Sequence, residues 1–597
     1  PTVQFLGHDL HGLRMGPDGK LYFSIGDRGF NVTTKEKKQL LYPNQGAVLR
    51  CDPDGSNLEV VHAGLRNPQE IAFDDYGNLF TYDNNSDSGD RARWVHIVEG
   101  GDSGWRGGFQ YGTQYHTPGV PQGNRGAWNV EKLWLPQHEG QPAWIVPPLL
   151  NFGNGPAGIT HFPGVGLSDK YKDHFFACDF TSNANNSVIW TLAVKPKGAS
   201  FEVVKEPKAF VRGMVPTDCE FGPDGAFYWS DWVGGWSPPG KGRIFRVTDP
   251  EAMKNPAVEE AKKLLAEGFA RKTDRELANL LFHPHQQVRT EAHIAMAEKT
   301  YDMMFARLLR DFRNSKERVN QIAKLHAIWG LGVYDRVHPG KWTGWGVLVQ
   351  VLIEDVDPVI RAAALKTLSS LAPIPAQVPA ALNEEWKFGR ANLAKLVADP
   401  DVRIQAEAAV LYGKIGRSLV SAMTETDWTF YTPLFDLLAA NADKDPYLRH
   451  AAVMGLVHAA PNPIDLWNVW TQAKAKYDTT AVRMGVLLAL RKHKHEKVAE
   501  FLKDDDARIV AEAARAVYDV RIEVAGESLA KLAEKTGQPD AVAYRALAAN
   551  YTLGTPEAAA RVAKLAGRAS EPDHTRAFAL KLLGDWTKPP RRDPITG

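Results

Sequence analysis

The chain has 597 residues, of which 24% are charged and 44% are hydrophobic, a composition typical of a globular protein. Its length predicts three or more structural units, since a single core does not grow that large. The net charge of +1 gives no electrostatic reason to expect nucleic acid or a membrane surface as a partner. No apolar run approaches the roughly 18 residues of a membrane-spanning helix, and the start of the chain shows no signal-peptide pattern.

Residues 1–250 are predicted to be β structure, because one pattern recurs in them. Each copy has a Pro/Asp/Gly turn, then alternating aromatic and aliphatic residues, then an Asp near the strand end. The copies are GPDGKLYFSIGD (16–27), FDDYGNLFTYDNN (73–85), FGPDGAFYWSDW (221–232) and a weaker one at 167–180. Four-strand units that recur every 40–50 residues or so are typical of a β-propeller. We predict an incomplete propeller of about four blades, with further blades upstream of Pro1.

His8 and Asp27 flank the first predicted hairpin, where both can reach the same end of the blade. A histidine that is oriented by a carboxylate is a general base, because the carboxylate fixes the tautomer and stabilises the imidazolium. The pair is therefore a catalytic candidate. His11 competes with His8 for this role, and a purely structural pairing of polar groups is the alternative.

The segment GLRNPQEIAFD (64–74) places three polar side chains just before a short predicted strand. Pro68 stiffens the backbone and biases Asn67 toward an extended conformation. Arg66, Asn67 and Gln69 are then held at a strand entrance, where they are candidates for binding a ligand. The alternative is that they only bond the loop backbone.

The loop DNNSDSGD (83–90) offers several oxygen ligands on a short segment: Asp83, Asn85, Asp87 and Asp90. Calcium takes about six to eight hard oxygens, so the loop is a candidate calcium site. The spacing is not that of an EF-hand, and a loop closed by Asx turns without metal is the alternative. The three cysteines form no zinc or haem motif, and buried free thiols are expected, with one disulfide as the alternative.

Residues 251–590 change to a helical pattern in which an acidic or Pro-containing turn precedes an Arg and an Ala/Leu-rich helix. This repetition predicts a HEAT-like α-solenoid. The Asp and Arg residues are expected to bond between successive repeats, and the solenoid offers a surface for a protein partner. Residues 591–597 are predicted to be a linker or tail.

The order of His8, GPDGKLYFSIGD, GLRNPQEIAF and IVEGGDSGW resembles the soluble quinoprotein sugar dehydrogenases, the glucose/sorbosone dehydrogenase family, over residues 1–250. The whole layout resembles large bacterial proteins provisionally named membrane-bound dehydrogenases, in which a propeller is joined to HEAT repeats. In the sugar dehydrogenases, PQQ lies over a calcium ion. The resemblance implies that His8 takes the proton of a sugar hydroxyl, that Asp27 orients it, and that Arg66 and Asn67 contact the quinone.

The chain also departs from that family. Phe180 and Thr181 stand where the family has a lysine, and Val215 and Thr217 stand where it has two arginines. PQQ carries three carboxylates, and each lost charge-assisted bond would weaken its binding by about 1.5–3 kcal/mol.

Two functions follow as hypotheses. The first is a PQQ-type oxidoreductase of sugar or polyol hydroxyls, in which a hydride passes to a quinone. The second is a non-catalytic, calcium-stabilised propeller/HEAT protein that binds a glycan or a protein. The resemblance further implies an exported or periplasmic protein with a c-type cytochrome as electron acceptor.

Overall fold

A computed structural model describes most of the chain: residues 7–107, 126–237, 239–299, 302–372, 390–420, 428–460, 462–589 and 593–596. A sheet-rich N-terminal region is followed by a helical region. The contacts divide the chain into two compact units. The first comprises Pro1–Asn85, Arg91–Gly101 and Pro148–Leu411, and the second comprises Ser86–Asp90, Asp102–Pro147 and Tyr412–Gly597. The predicted division into 1–250, 251–590 and 591–597 does not coincide with these units and stays a prediction.

The strands of the described residues are short and pair antiparallel. They are β1 Leu10–Met15, β2 Leu21–Ile25, β3 Phe30–Thr33, β4 Gln39–Tyr42, β5 Gly46–Cys51, β6 Glu59–Leu65, β7 Ile71–Phe73, β8 Leu79–Asp83, β9 Arg93–Ile97, β10 Gly101–Asp102, β11 Leu150–Asn151, β12 Pro156–His161, β13 His174–Asp179, β14 Val188–Lys197, β15 Ser200–Val203, β16 Lys208–Arg212, β17 Pro216–Phe221, β18 Phe227–Asp231 and β19 Arg243–Val247. Four sheets follow one another along the chain, in the orders β1-β2-β5-β6-β10, β11-β9-β8-β7, β12-β13-β14-β15 with β16 on β14, and β17-β18-β19; β3 and β4 form a separate ribbon.

The three predicted turns have the same backbone hydrogen bond. The N–H of Gly19, Gly77 and Gly225 donates to the carbonyl three residues earlier, at 2.9, 3.3 and 2.9 Å. All three glycines have φ between 69° and 76°, a region that other residues avoid. The turn residues therefore start the second strand of three different sheets in the same way.

Consecutive sheets pack through apolar clusters. Val48 and Val61 of the first sheet meet Leu79 and Val95 of the second. Similar clusters join the second sheet to the third and the third to the fourth. The first strands of the sheets are neighbours, since β1 contacts β7, β7 contacts β12 and β12 contacts β17.

The helices of the described residues begin in the loop before β11 and dominate after residue 255. They are α1 Ala127–Val130, α2 Pro256–Glu267, α3 Asp274–Leu280, α4 Gln286–Glu298, α5 Asp302–Asp311, α6 Arg318–Val337, α7 Thr343–Glu354, α8 Pro358–Leu371, α9 Arg390–Val397, α10 Val402–Val420, α11 Thr432–Asn441, α12 Pro446–Ala459, α13 Pro463–Tyr477, α14 Thr480–Lys492, α15 Ala507–Asp519, α16 Gly526–Ala530, α17 Asp540–Leu553, α18 Pro556–Ala566 and α19 Asp573–Gly584.

The acidic and Pro-containing turns cap these helices. Asp357 and Asp445 accept hydrogen bonds from the first free N–H groups of α8 and α12, and a proline follows each of them at the first helical position. Arg361 bonds Asp399 in the next turn at 2.8 Å, whereas Arg403 bonds Asp401 of its own turn. The arginines thus bond both between and within successive turns, and the HEAT-like classification stays a prediction.

Within the first unit, α4 and α6 contact the β turns. Arg289 of α4 donates to the Asp75 carboxylate at 2.5 Å, and its Nε donates to His326 Nε2 at 3.1 Å. The two facing Nδ1 atoms of His326 and His293 are 2.9 Å apart, and His293 Nε2 is 2.9 Å from the carbonyl of Pro17. Because the arginine can only donate, the row is satisfied with both imidazoles neutral. We call these two histidines and Arg289 the histidine row.

The three cysteines are free and buried, as expected. In the described residues, no helix is long and apolar enough to cross a membrane.

Candidate functional site

His8 and Asp27 are in direct contact in the first unit. The distance from His8 Nδ1 to Asp27 Oδ1 is 2.7 Å, and both residues are buried. His11 instead lies 3.1 Å through Nε2 from the carbonyl of Gly7. The imidazole that faces the carboxylate is therefore that of His8.

The segment before β7 is held by a carboxylate from the strand that follows it. Asp83, the last residue of β8, accepts hydrogen bonds from the backbone N–H groups of Arg66 and Asn67, at 3.1 and 2.8 Å. Asp83 also forms a fully buried ion pair with Arg93. Asp83 thus fixes the backbone of both Arg66 and Asn67, and their side chains start from fixed positions.

The two segments meet at Gly26. The Asp27 N–H donates to the Arg66 carbonyl at 2.7 Å. A β-carbon on Gly26 would lie 2.7 Å from Asn67 Oδ1 and 2.7 Å from the His8 carbonyl oxygen. The structure therefore brings together four of the predicted residues, His8, Asp27, Arg66 and Asn67. The fifth, Gln69, lies beside them and donates a long hydrogen bond of 3.4 Å to the Gly7 carbonyl.

The Arg66 guanidinium is buried and donates to the carbonyl of Asn85. This contact is the loop-bonding role that was the alternative for this arginine.

Strand-end aspartates have the same backbone role in the other sheets. Asp179 accepts from the N–H groups of Asn154 and Gly155, at 3.1 and 2.7 Å. Asp231 accepts from the N–H of Val215 at 2.8 Å. In each case the carboxylate holds the segment that leads into the first strand of its sheet.

Asp27 differs from these three aspartates. It lies two residues beyond the end of β2, and its carboxylate faces the imidazole of His8, which precedes β1. A side chain that can accept a proton therefore stands where the other sheets present backbone amides. This difference, and not the aspartate alone, makes the end of the first sheet a candidate for acid–base chemistry.

One ionisable residue beside the site was not predicted. Glu70 follows Gln69 and lies 3.4 Å from Arg14, which also pairs with Glu220. Burial is the main cause that raises the pKa of Glu70 to about 8, with Asp218 and Glu220 adding to it, against the opposing effect of Arg14. A glutamate placed directly before the apolar strand IAF was the available signal.

The predicted calcium ligands are engaged by hydrogen-bond donors. Asp83 binds backbone N–H groups and Arg93, as described above. In the second unit, Asp90 accepts from Ser86 N and Ser86 Oγ at 2.8 and 2.6 Å and from Trp128 Nε1 at 2.8 Å. In the part of the chain that the structure describes, no group of three or more His, Cys, Asp or Glu side chains could hold a metal ion.

Hydrogen-bond donors thus occupy the carboxylates of Asp83 and Asp90, so these two side chains do not fit calcium. Asn85 belongs to the first unit and Asp87 to the second, and their role as ligands stays a prediction.

Comparisons with known proteins agree in part with the resemblance to the quinoprotein sugar dehydrogenases. A family profile described as a domain of unknown function (DUF7133) matches residues 6–235. Quinoprotein glucose dehydrogenase B of Acinetobacter calcoaceticus is 34% identical over 128 residues, which are 16% of this chain and 26% of that protein. The chain thus spans about a quarter of the length of that relative. The similarity supports a fold of the quinoprotein dehydrogenase type for the matched segment.

Two solved structures are also similar. One, from Thermus thermophilus, is provisionally named an oxidoreductase (glucose dehydrogenase); it has 20% identity and a TM-score of 0.27, over 40% of this chain and 65% of that chain. The other is an engineered protein with 17% identity and a TM-score of 0.29, over 57% of this chain and 97% of that chain.

The residues do not fit PQQ in the way that the resemblance implies. Val215 is fully buried and Thr217 Oγ1 lies 2.7 Å from Ser230 Oγ, so neither offers a cation. The Phe180 ring packs edge-on against Trp236, with centroids 5.3 Å apart. A tricarboxylate at this site would therefore lose three of its expected cationic partners, and we assign no step to PQQ.

Proposed function

We propose that the chain is an oxidoreductase that acts on the hydroxyl groups of a sugar or polyol, with His8 as the general base. The observation that carries this proposal is the buried contact of 2.7 Å between His8 Nδ1 and Asp27 Oδ1. The sequence similarity to a quinoprotein glucose dehydrogenase supports the oxidoreductase class.

The proposed proton transfer follows from the tautomer of His8. With Nδ1–H donated to Asp27, the neutral imidazole has its lone pair on Nε2, and a substrate hydroxyl can lose its proton there. The Asp27 carboxylate stabilises the imidazolium that forms. Arg66 contributes positive charge at the same end of the sheets, which favours an anionic group in the site.

The rest of the proposal concerns the setting of this chemistry. We propose that the sheet-rich region is part of a propeller, that the helices form a HEAT-like solenoid with a surface for a protein partner, and that a c-type cytochrome receives the electrons outside the cell or in the periplasm. The order of the four sheets and the neighbouring first strands support the propeller. We also propose that a quinone-type cofactor with fewer anionic groups than PQQ suits the site better.

The test compares His8→Gln with His11→Gln. Both variants are assayed for oxidation of a sugar and polyol panel with an artificial electron acceptor, with PQQ present and omitted. We expect His8→Gln to lower kcat/KM by about 10²–10⁴-fold, the usual contribution of a general base. We expect His11→Gln to retain activity, because its imidazole does not face Asp27.

Thermal melts of both variants separate catalysis from folding. Loss of activity in His8→Gln with an unchanged melting temperature supports the proposal. Equal activity of His8→Gln and wild-type protein would rule out His8 as the base. Turnover only in the presence of PQQ would show that PQQ binds without the three cationic partners.

The absence of the three cationic side chains expected to bind PQQ favours a second candidate function. The chain would then keep the scaffold of a dehydrogenase and bind a glycan or protein without redox chemistry. Under that hypothesis, no member of the panel is oxidised, and a glycan array or titration detects binding that depends on Arg66 and Asn67.

A further inference from the structure

The second unit has a small cavity between the segment before Pro148 and two helices. Trp144 and Ile145 line it from the segment, Arg449 and Val453 from α12, and Arg491 and Lys492 from α14. Its volume is about 20 Å³, which is room for one or two water-sized groups. Nine residues line the cavity in all, and three of them are arginine or lysine, so its wall is cationic.

The segment that carries Trp144 is fixed in place. Arg449 Nη2 donates to the Ala143 carbonyl at 3.0 Å, and the Tyr447 hydroxyl donates to the Pro147 carbonyl at 2.8 Å. The Ala143 N–H donates to Glu512 at 2.8 Å. Because both flanks of Trp144 are bonded to helices, the cavity is built into the unit.

Arg491 is the central group of the cavity. Its side chain is 8% exposed, and its guanidinium carbon lies 4.2 Å from the centroid of the Trp144 ring. Within the described residues, Arg491 forms no ion pair and its buried Nε donates no hydrogen bond. A buried guanidinium nitrogen without an acceptor costs free energy, so the native state gains from a ligand that supplies an acceptor to it.

The neighbouring carboxylates form their ion pairs with other arginines, although the negative charges of Asp102, Glu512 and Asp519 partly offset that of Arg491. Asp102 pairs with Arg106, and Asp519 pairs with Arg545 at 2.8 Å. Glu512 bonds Ala143 and Arg515 through Oε1 and forms no ion pair with Arg491 in the described residues. Asp443 reaches Arg449 only at 3.5 Å.

Lys492 adds to the positive charge of the wall. Burial lowers the pKa of Lys492 to about 8, so the ammonium is still largely protonated at neutral pH. His450 also lines the cavity. Two adjacent cations, the buried Arg491 and the half-buried Lys492, therefore share a cavity whose other walls are aromatic and aliphatic.

We propose that this cavity is a binding site for the carboxylate of a small organic acid. The planar guanidinium of Arg491 matches the two oxygens of a carboxylate, and Lys492 adds a second cationic contact. The cavity has room for the carboxylate group itself, and Trp144, Ile145 and Val453 form the apolar part of its wall. The site lies in the second unit and does not depend on the function proposed for His8.

The test uses acetate and propionate as probes on the full chain, with phosphate and chloride as comparison anions. Melting temperature is followed against the concentration of each anion at constant ionic strength. We expect saturable stabilisation of the wild-type protein by acetate, and no stronger stabilisation by propionate, because the cavity has room for only one or two water-sized groups.

Arg491→Gln is the decisive variant. Arg508→Gln is its control, since Arg508 of α15 is exposed and pairs with Asp506, the residue that precedes this helix. Without added anion, Arg491→Gln is expected to melt at or above the wild-type temperature, because a buried charge that forms no ion pair has been removed. In acetate it is expected to show no response, while Arg508→Gln responds like the wild type. Arg491→Lys keeps the positive charge but lacks the planar guanidinium. It should raise the dissociation constant for acetate at least about tenfold.

Three results would overturn the proposal. They are a wild-type protein with no saturable response to acetate, an Arg491→Gln variant that responds as the wild type does, and equal stabilisation by chloride. A response to phosphate but not to acetate would identify a phosphate site and would overturn the assignment to carboxylates.

Discussion

The two ends of strand β2 use their polar residues in different ways. At the turn end, the Pro17 carbonyl and Asp75 of the neighbouring sheet bind the histidine row of α4 and α6. At the other end, Asp27 binds His8 and the backbone of Arg66. The turn end is thus joined to helices more than 200 residues away, whereas the other end is built from residues close in sequence. Substitutions at the two ends should therefore affect stability and activity separately.

The largest stability effect is expected at the turn end. Arg289→Met removes one of the two arginines that pair with Asp75, the other being Arg318, and two backbone hydrogen bonds from a buried position. Breaking a buried ion pair costs about 3–5 kcal/mol, so the first unfolding transition should move to a much lower temperature. The matched control is Arg508→Met, whose exposed pair with Asp506 contributes less than about 1 kcal/mol. Equal shifts in thermal melts of the two variants would contradict the prediction.

The histidine row should also make the turn end sensitive to acid. Burial lowers the pKa of His293 to about 4, and it lowers the pKa of His326 well below its usual value. Histidines whose folded-state pKa is depressed stabilise the protein fully above the unfolded pKa of about 6.5, and this stability is lost as the pH falls toward 4. For His293 the loss is about 3 kcal/mol. Melting temperatures between pH 7 and pH 4.5 measure it.

His293→Gln provides the control for this pH dependence. Its glutamine does not titrate, so the slope of melting temperature against pH should be shallower than in the wild type. His326 contributes in the same direction, because burial also lowers its pKa well below the usual value, so the slope does not vanish. A slope unchanged by His293→Gln would assign the acid sensitivity to other groups.

The strand-end aspartates separate stability from activity directly. Asp179→Asn weakens acceptors for two backbone N–H groups and should destabilise the protein by about 1–3 kcal/mol. Asp27→Asn should lower kcat/KM of the proposed reaction and shift the melting temperature less than Asp179→Asn does. Parallel denaturation and activity measurements on the two variants test the distinction; a larger stability loss in Asp27→Asn would show that Asp27 has the same structural role as the others.

The smallest effect is expected at Glu70, and it is a gain. Because burial raises the pKa of its carboxyl to about 8, the folded state resists ionisation and loses stability as the pH rises from about 4.5 to 8. Glu70→Gln removes this cost but also the pairing with Arg14, so a gain of about 1 kcal/mol at pH 8 is expected. The gain should disappear near pH 5. Denaturation of both proteins at the two pH values checks it.

Local sequence patterns correctly predicted the features that depend on residues close together in the sequence. The turns at Gly19, Gly77 and Gly225, the buried free cysteines and the capped starts of α8 and α12 follow from short-range rules. The pairing of His8 with Asp27 was predicted for the same reason, since both flank one hairpin.

What the sequence did not reveal depends on distant partners. Arg289 was expected to bond a neighbouring repeat, yet its carboxylate partner is Asp75, 214 residues earlier. Asp83 was considered a calcium ligand, but it holds the backbone of Arg66 and Asn67, because the register of β7 and β8 places it there. No periodicity in the sequence encodes such pairings.

The anchoring of Arg66 and Asn67 by Asp83 also sets an order of assembly. These two residues precede β7, but the carboxylate that holds them arrives only at the end of β8, and its partner Arg93 lies in β9. The candidate site is therefore incomplete until three consecutive strands have paired. Binding of any ligand that depends on Arg66 therefore requires that the second sheet has formed. A nascent chain that ends before Arg93 should not bind such a ligand.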